Sequence, residues 1–147
     1  MENKGFSMVE LIIVIAIMAI LAGALAPALI KYINKARLSS DISSGRELAS
    51  AIMTAVTSDA AYNGAEEHST PYPVDNMGGA DFKSAVSSIY PIDDLKPKSK
   101  RDIDGNPITN RTFYYTLDAD KNKVEVYYGG TTADYQIYPV TGSKLVK

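Results

Sequence analysis

Hydrophobic and polar positions divide the chain into stretches of different periodicity. From Leu11 to Ile30, twenty consecutive residues carry neither a charge nor a polar side chain. At ~1.5 Å per residue a helix of that length spans ~30 Å, the hydrocarbon thickness of a bilayer. A buried helix of a soluble protein rarely needs an apolar surface all round. Beyond Lys31 the pattern turns amphipathic. Leu38, Ile42, Gly45, Ala49, Ile52 and Val56 recur at alternating spacings of four and three, one stripe on one helix face. Ser39-Ser40-Asp41 and Ser43-Ser44-Gly45 are weak helix formers, and Ser44-Gly45-Arg46-Glu47 matches a capping box. The pattern therefore permits either one long helix or a break between Ser40 and Ser44. Pro27 lies inside the apolar run, where its missing backbone donor predicts a kink.

The remainder reads as loops and short elements. Residues 62–80 contain Asn63-Gly64, Pro71, Pro73 and Gly78-Gly79, a loop pattern. Asp81 to Ile89 predicts a short helix capped by Asp81 and stopped by Pro91, with a second polar loop to about Asn110. Arg111–Leu117 and Lys123–Tyr128 alternate as strands around the turn Asp118-Ala119-Asp120-Lys121-Asn122, and Tyr135–Tyr138 offers a third. The expected fold is α+β: a long amino-terminal helix packed on a small antiparallel sheet of about three strands. Phe113, Tyr115, Val124, Val126 and Ile137 are the expected contacts to Ile42, Ala49 and Ile52. Outward-facing tyrosines read first as strand formers.

Composition narrows the chemistry. The 147 residues suit one modest domain besides the apolar run. Net charge is −2, and the densest basic run, Lys96-Pro97-Lys98-Ser99-Lys100-Arg101, reads as a solvated loop; no basic face interleaved with aromatics suggests a nucleic-acid site. Without cysteines there is no disulfide framework and no Cys-based metal site or nucleophile. The single histidine, His68, falls in a polar stretch with no Gly-x-Ser-x-Gly elbow, so no catalytic constellation is predicted. Asp118, Asp120 and Asn122 have the opening spacing of a calcium loop, but Lys123 and Gly129 stand where Gly and Glu are needed. Asp102-Ile103-Asp104-Gly105-Asn106 places its glycine too early. Both read as turns, and neither a metal nor a cofactor is expected.

Two membrane readings compete for the apolar run. Ala22-Gly23-Ala24 and Ala24-Leu25-Ala26 match a small-x-small signal cleavage pattern. Against cleavage there, the run exceeds a signal core, the amino terminus is not clearly positive, and Pro27 would directly follow the second site. Glu10, at the edge of the run, is the informative residue. A carboxylate in hydrocarbon costs roughly 2.5–3.5 kcal/mol on insertion scales, so it either snorkels to the headgroups or has a partner.

Lys4-Gly5-Phe6-Ser7-Met8-Val9-Glu10-Leu11-Ile12 resembles the class III signal of type IV pilins and pseudopilins: a short polar leader ending in Gly, then Phe, then Glu four residues on, then a long apolar helix. Ser7 and Met8 stand where Thr and Leu are commoner. The resemblance implies cleavage between Gly5 and Phe6 by a prepilin peptidase, methylation of the Phe6 amino group, and pairing of Glu10 with that group on a neighbouring subunit. It implies a leader over 1–5, a membrane and filament-core helix over 6–30, its amphipathic continuation over 31–58 and a globular head over 59–147. Identical subunits, the peptidase, an assembly ATPase and a platform protein are the implied partners. The implied locations are the cell membrane before assembly and an extracellular pilus after it. Adhesion, twitching motility and DNA uptake are outputs among which no motif chooses. Secretion and competence pseudopilins share the leader, and a membrane-tethered binding domain is the alternative from another class. The lack of cysteines departs from disulfide-closed pilins and resembles those of Gram-positive anaerobes. One feature runs against the implied orientation: Lys31, Lys35 and Arg37 follow the span and only Lys4 precedes it.

Overall fold

The computed structural model describes Gly5 and residues 7–146; of Asp94 it describes the backbone only. The chain forms two compact units, residues 1–33 and 34–147. Helix α1 (Met8–Ala55) has its first part in one unit and its last 22 residues, 34–55, in the other. It is followed by α2 (Asp59–Gly64), β1 (His68–Pro73), α3 (Ala80–Ile89), β2 (Phe113–Leu117), β3 (Val124–Tyr128) and β4 (Gln136–Tyr138).

The potential break at Ser40–Ser44 does not occur, because tertiary burial overrides weak propensity there. Leu38, Asp41, Gly45, Leu48, Ile52 and Ala55 are buried at spacings of three and four, with Ala49 and Ala51 buried beside them, while Ile42 and Val56 sit at the edge of that face. Thr57 and Ser58 close the helix: each donates both its backbone amide (3.1 Å) and its hydroxyl (2.7 and 3.2 Å) to the carbonyls of Thr54 and Ala55 respectively.

The sheet is antiparallel with order β1-β2-β3-β4. In β2 and β3 the pairs Phe113↔Tyr128, Tyr115↔Val126 and Leu117↔Val124 share one face, and all six side chains are buried. With Ile137 of β4 they form the core against α1, including every sheet residue expected there. The strands number four where about three were expected. The missing strand, β1, falls within 62–80, and that stretch also holds the end of α2 and a 3-10 turn at Val74–Asn76. Pro71 and Pro73 concealed β1. Proline removes ladder donors, but β1 is an edge strand with an irregularity between His68 and Tyr72, the setting in which a sheet tolerates proline. α3 begins at Ala80 after Gly79, whose φ of 75° suits glycine; Asp81 lies in the first turn and is not the cap.

On the other face, the Tyr127 hydroxyl donates to Glu125 Oε2 at 2.6 Å. This bond holds the Glu125 carboxyl below its ordinary pKa. Burial, with the Glu125 contact second, pushes Tyr127 up to about 12. Burial likewise raises Tyr115 and Tyr128. A phenol whose folded pKa exceeds its unfolded value of about 10 contributes stability that is complete below pH 10 and declines as pH rises through the folded pKa. Unfolding titrations from pH 9 to 12 are therefore expected to show falling stability. Tyr127→Phe should make that decline shallower; an unchanged slope would show that Tyr127 does not contribute to it.

Candidate functional site: the amino-terminal segment

Every residue from Met8 to Ile33 is exposed, and a candidate membrane-spanning window within α1 has mean hydropathy 2.7 with none of its residues buried. Met8 is 81% exposed and Ile20 72%. Burying one such side chain is worth about 1.5–3 kcal/mol, so an apolar surface of this extent requires lipid or other helices around it. The intrahelical ladder satisfies the backbone, which makes a helix able to enter hydrocarbon.

Local chemistry defines where the helix begins. The Ser7 hydroxyl accepts from the Val9 amide at 3.3 Å, and the Glu10 carboxylate reaches back to accept from the Ser7 amide at 3.0 Å. The Leu11 amide donates to the Ser7 carbonyl, the first helical bond. Ser7-Met8-Val9-Glu10 is thus a capping arrangement, with a carboxylate at the positive end of the helix dipole. The sequence pattern at Ser44–Glu47 is the same, yet there the chain is helical on both sides. Glu10 is exposed and has a partner within its own chain. Gly5 is exposed with open space where a Cβ would project. Phe6, expected at the cleavage and methylation point, lies outside the described residues. Pro27 lies within the continuous α1.

Other sequence candidates lie elsewhere. His68 is in β1 and not in a polar loop; its ring stacks on Tyr72 at 4.0 Å and meets Tyr115 edge-on at 5.4 Å. Both calcium-like segments fold as turns. Asp118 Oδ1 accepts from the amides of Asn122 and Lys123, each at 2.8 Å. Asp102 accepts from the amides of Asp104 (3.0 Å) and Asn106 (2.8 Å) and from the Asn106 side chain (3.0 Å).

Sequence reasoning missed the polar anchor of the head. Asp41, 2% exposed, projects from α1 and accepts from the amides of Lys98 (2.8 Å) and Ser99 (2.7 Å) and from the Ser99 hydroxyl (2.6 Å). The Tyr128 hydroxyl and Arg111 Nε donate to the Ser99 carbonyl at 2.7 and 3.2 Å. The only available signal was an aspartate three residues after Leu38 and four before Gly45, on the buried face.

The prokaryotic N-terminal methylation motif matches residues 1–26. This is the class III signal of type IV pilins and prepilin-like proteins, and it implies processing by a prepilin peptidase and assembly into filaments. Neither the curated proteins nor the solved structures include a match to the chain.

Proposed function

We propose, from this prepilin-type amino terminus, that the chain is the structural subunit of a type IV pilus. The supporting observation is the apolar surface of residues 8–33, exposed all round and headed by Gly5, Ser7 and Glu10. In this reading the peptidase cuts between Gly5 and Phe6 on the cytoplasmic side and methylates Phe6. The helix, kinked at Pro27, anchors the precursor in the membrane and then joins other copies in a fibre core. Residues 31–58 continue it, and residues 59–147 form the head. An assembly ATPase and a platform protein drive the transfer, and the finished filament is extracellular.

Glu10 changes partner along this route. Before cleavage its carboxylate accepts from the Ser7 amide. Cleavage creates an ammonium group on Phe6, and the carboxylate of a neighbouring copy neutralises it in the fibre core. Two charges that are expensive in hydrocarbon apart thereby become tolerable together, and their pairing sets the axial register.

Substitutions at Glu10 separate its two roles. Glutamine retains the capping acceptor but not the charge; alanine removes both. Glu10→Gln and Glu10→Ala are each expected to be cleaved normally and to lower filament yield about tenfold or more, the effect of ~1.4 kcal/mol in assembly. Wild-type filament yield from Glu10→Gln would limit this side chain to capping. Mass spectrometry of filaments sheared from the cell surface tests the whole reading. Subunits beginning at methylated Phe6 are expected; intact Met1 protein confined to the membrane fraction would contradict it. Processed subunits found only in an envelope-bound secretion complex would indicate a pseudopilin.

A further inference from the structure

We infer that the head carries a basic collar that binds anionic phospholipid headgroups where the chain leaves the membrane. The inference rests on the membrane-anchored precursor proposed above and identifies a ligand for a surface which that reading leaves unused. The collar consists of Lys35 and Arg37 on α1 with Lys98, Lys100 and Arg101 from the segment before β2, all exposed.

These two groups are about sixty residues apart in sequence, and the fold joins them. The Lys98 amide donates to Asp41 Oδ1 at 2.8 Å and the Lys98 ammonium to the Ser40 hydroxyl at 3.0 Å. Three residues further on, Asn34 Nδ2 donates to the carbonyls of Arg101 (3.3 Å) and Asp102 (3.2 Å). The segment therefore runs antiparallel to α1, from Asp41 back to Asn34. At ~1.5 Å per residue those seven positions bring Arg101 ~10 Å nearer the start of the head than Lys98. Asn34 follows Ile30, the last residue of the uncharged run, by four positions in the chain.

Burial alternates from Pro97 to Lys100 and then skips Arg101. Pro97, Ser99 and Asp102 are buried, and Lys98, Lys100 and Arg101 face solvent. The nearby acids are held by other donors. Asp41 and Asp102 are buried and turned onto amide donors, and Asp104 bonds Lys144 at 3.0 Å. The ion pairs among the described residues, Lys83–Asp93, Lys123–Glu125 and Lys144–Asp104, include none of the five collar cations. Five exposed cations, two of them five and seven residues after the uncharged run in the chain and three on the segment held against the start of the head, fit a layer of phosphate-bearing anionic headgroups. The contact also offers a reason for the cations after the span that the charge-asymmetry rule disfavours: they hold the head against its own leaflet until the subunit is withdrawn.

The test uses the full chain in lipid nanodiscs of phosphatidylcholine alone or with one-third phosphatidylglycerol. Lysines are acylated briefly, and modification is read peptide by peptide. Labelling of Lys98 and Lys100 is expected to slow about fivefold in the anionic discs, the effect of one cation held at an anionic surface. Lys83 and Lys121, on other elements of the head, should not change. Raising salt to 0.5 M should remove the difference, because screening then acts within a few ångströms. Lys100→Gln/Arg101→Gln should lose most of the protection at Lys98. Equal labelling in both discs, or uniform slowing of every lysine, overturns the collar. Protection in neutral discs that grows with the number of chains per disc assigns the surface to a second copy and also overturns it. A chain that does not co-elute with either disc overturns the collar together with the membrane-anchored reading; one that co-elutes without protection at Lys98 and Lys100 overturns the collar alone.

Discussion

Replacing Asp41 by alanine is expected to destabilise the head by about 3 kcal/mol or more. The carboxylate is buried and accepts three hydrogen bonds, two from backbone amides of a segment with no strand partner of its own over Lys98–Ser99. Alanine leaves those amides and the Ser99 hydroxyl without their acceptor. A bond to a charged acceptor contributes about 1.5–3 kcal/mol, and an orphaned buried donor costs about 1–3 kcal/mol. Asparagine retains one acceptor oxygen but turns an NH2 towards a donor, so Asp41→Asn should fall between the two. The measurement is denaturant unfolding in detergent followed by tyrosine near-ultraviolet dichroism, with hydrogen exchange at the Lys98 and Ser99 amides. A loss below 1 kcal/mol with those amides still protected would show that water replaces the carboxylate and that Asp41 does not anchor the segment.

The second large effect is expected at Gly45. Helix propensity alone predicts that Gly45→Ala stabilises by ~1 kcal/mol, since glycine is costly in a helix interior. The structure predicts the opposite sign. A Cβ at this position would lie 2.6 Å from Ile137 Cδ1, 3.0 Å from Ile137 Cγ2 and 3.3 Å from Phe113 Cε1. Ile137 is wholly buried, so its terminal methyl has little room to rotate away. Overpacking of this kind costs about 1–3 kcal/mol, and Gly45→Val, with two further methyls, should exceed that and displace β4 from the helix. Ile137→Val deletes the Cδ1 methyl that collides and by itself costs about 1 kcal/mol. Gly45→Ala/Ile137→Val should therefore lose less than the sum of its single changes, a favourable coupling of about 1 kcal/mol. Strict additivity would show that α1 and β4 separate freely enough to admit a methyl group.

Different physics made different parts of the molecule legible. The uncharged run and the motif around Gly5 and Glu10 are local: their meaning depends on composition and fixed spacing. The strands β2 and β3 were also readable, because one face of each is buried and period-two alternation follows directly. Asp81 shows the limit of local rules, since it has the right chemistry for a cap and lies two residues after the capping position, Gly79. Ser44–Glu47 and Ser7–Glu10 share a capping pattern, and only the second caps. At Ser44 the surrounding residues gain more from continuing the helix and burying Leu48, Ala49 and Ile52 than a cap would supply.

By itself the sequence determined the prepilin-type amino terminus, the long helix and the alternating core strands, because each is encoded in neighbouring residues or in a regular period. Only the tertiary structure decided that Pro71 and Pro73 belong to an edge strand, that Gly45 is a point of close approach, and that Asp41 holds a segment almost sixty residues away. It also decided that Lys98, Lys100 and Arg101 stand beside the start of the head. These are properties of long-range neighbours, and a residue's own identity does not state which neighbour it will meet.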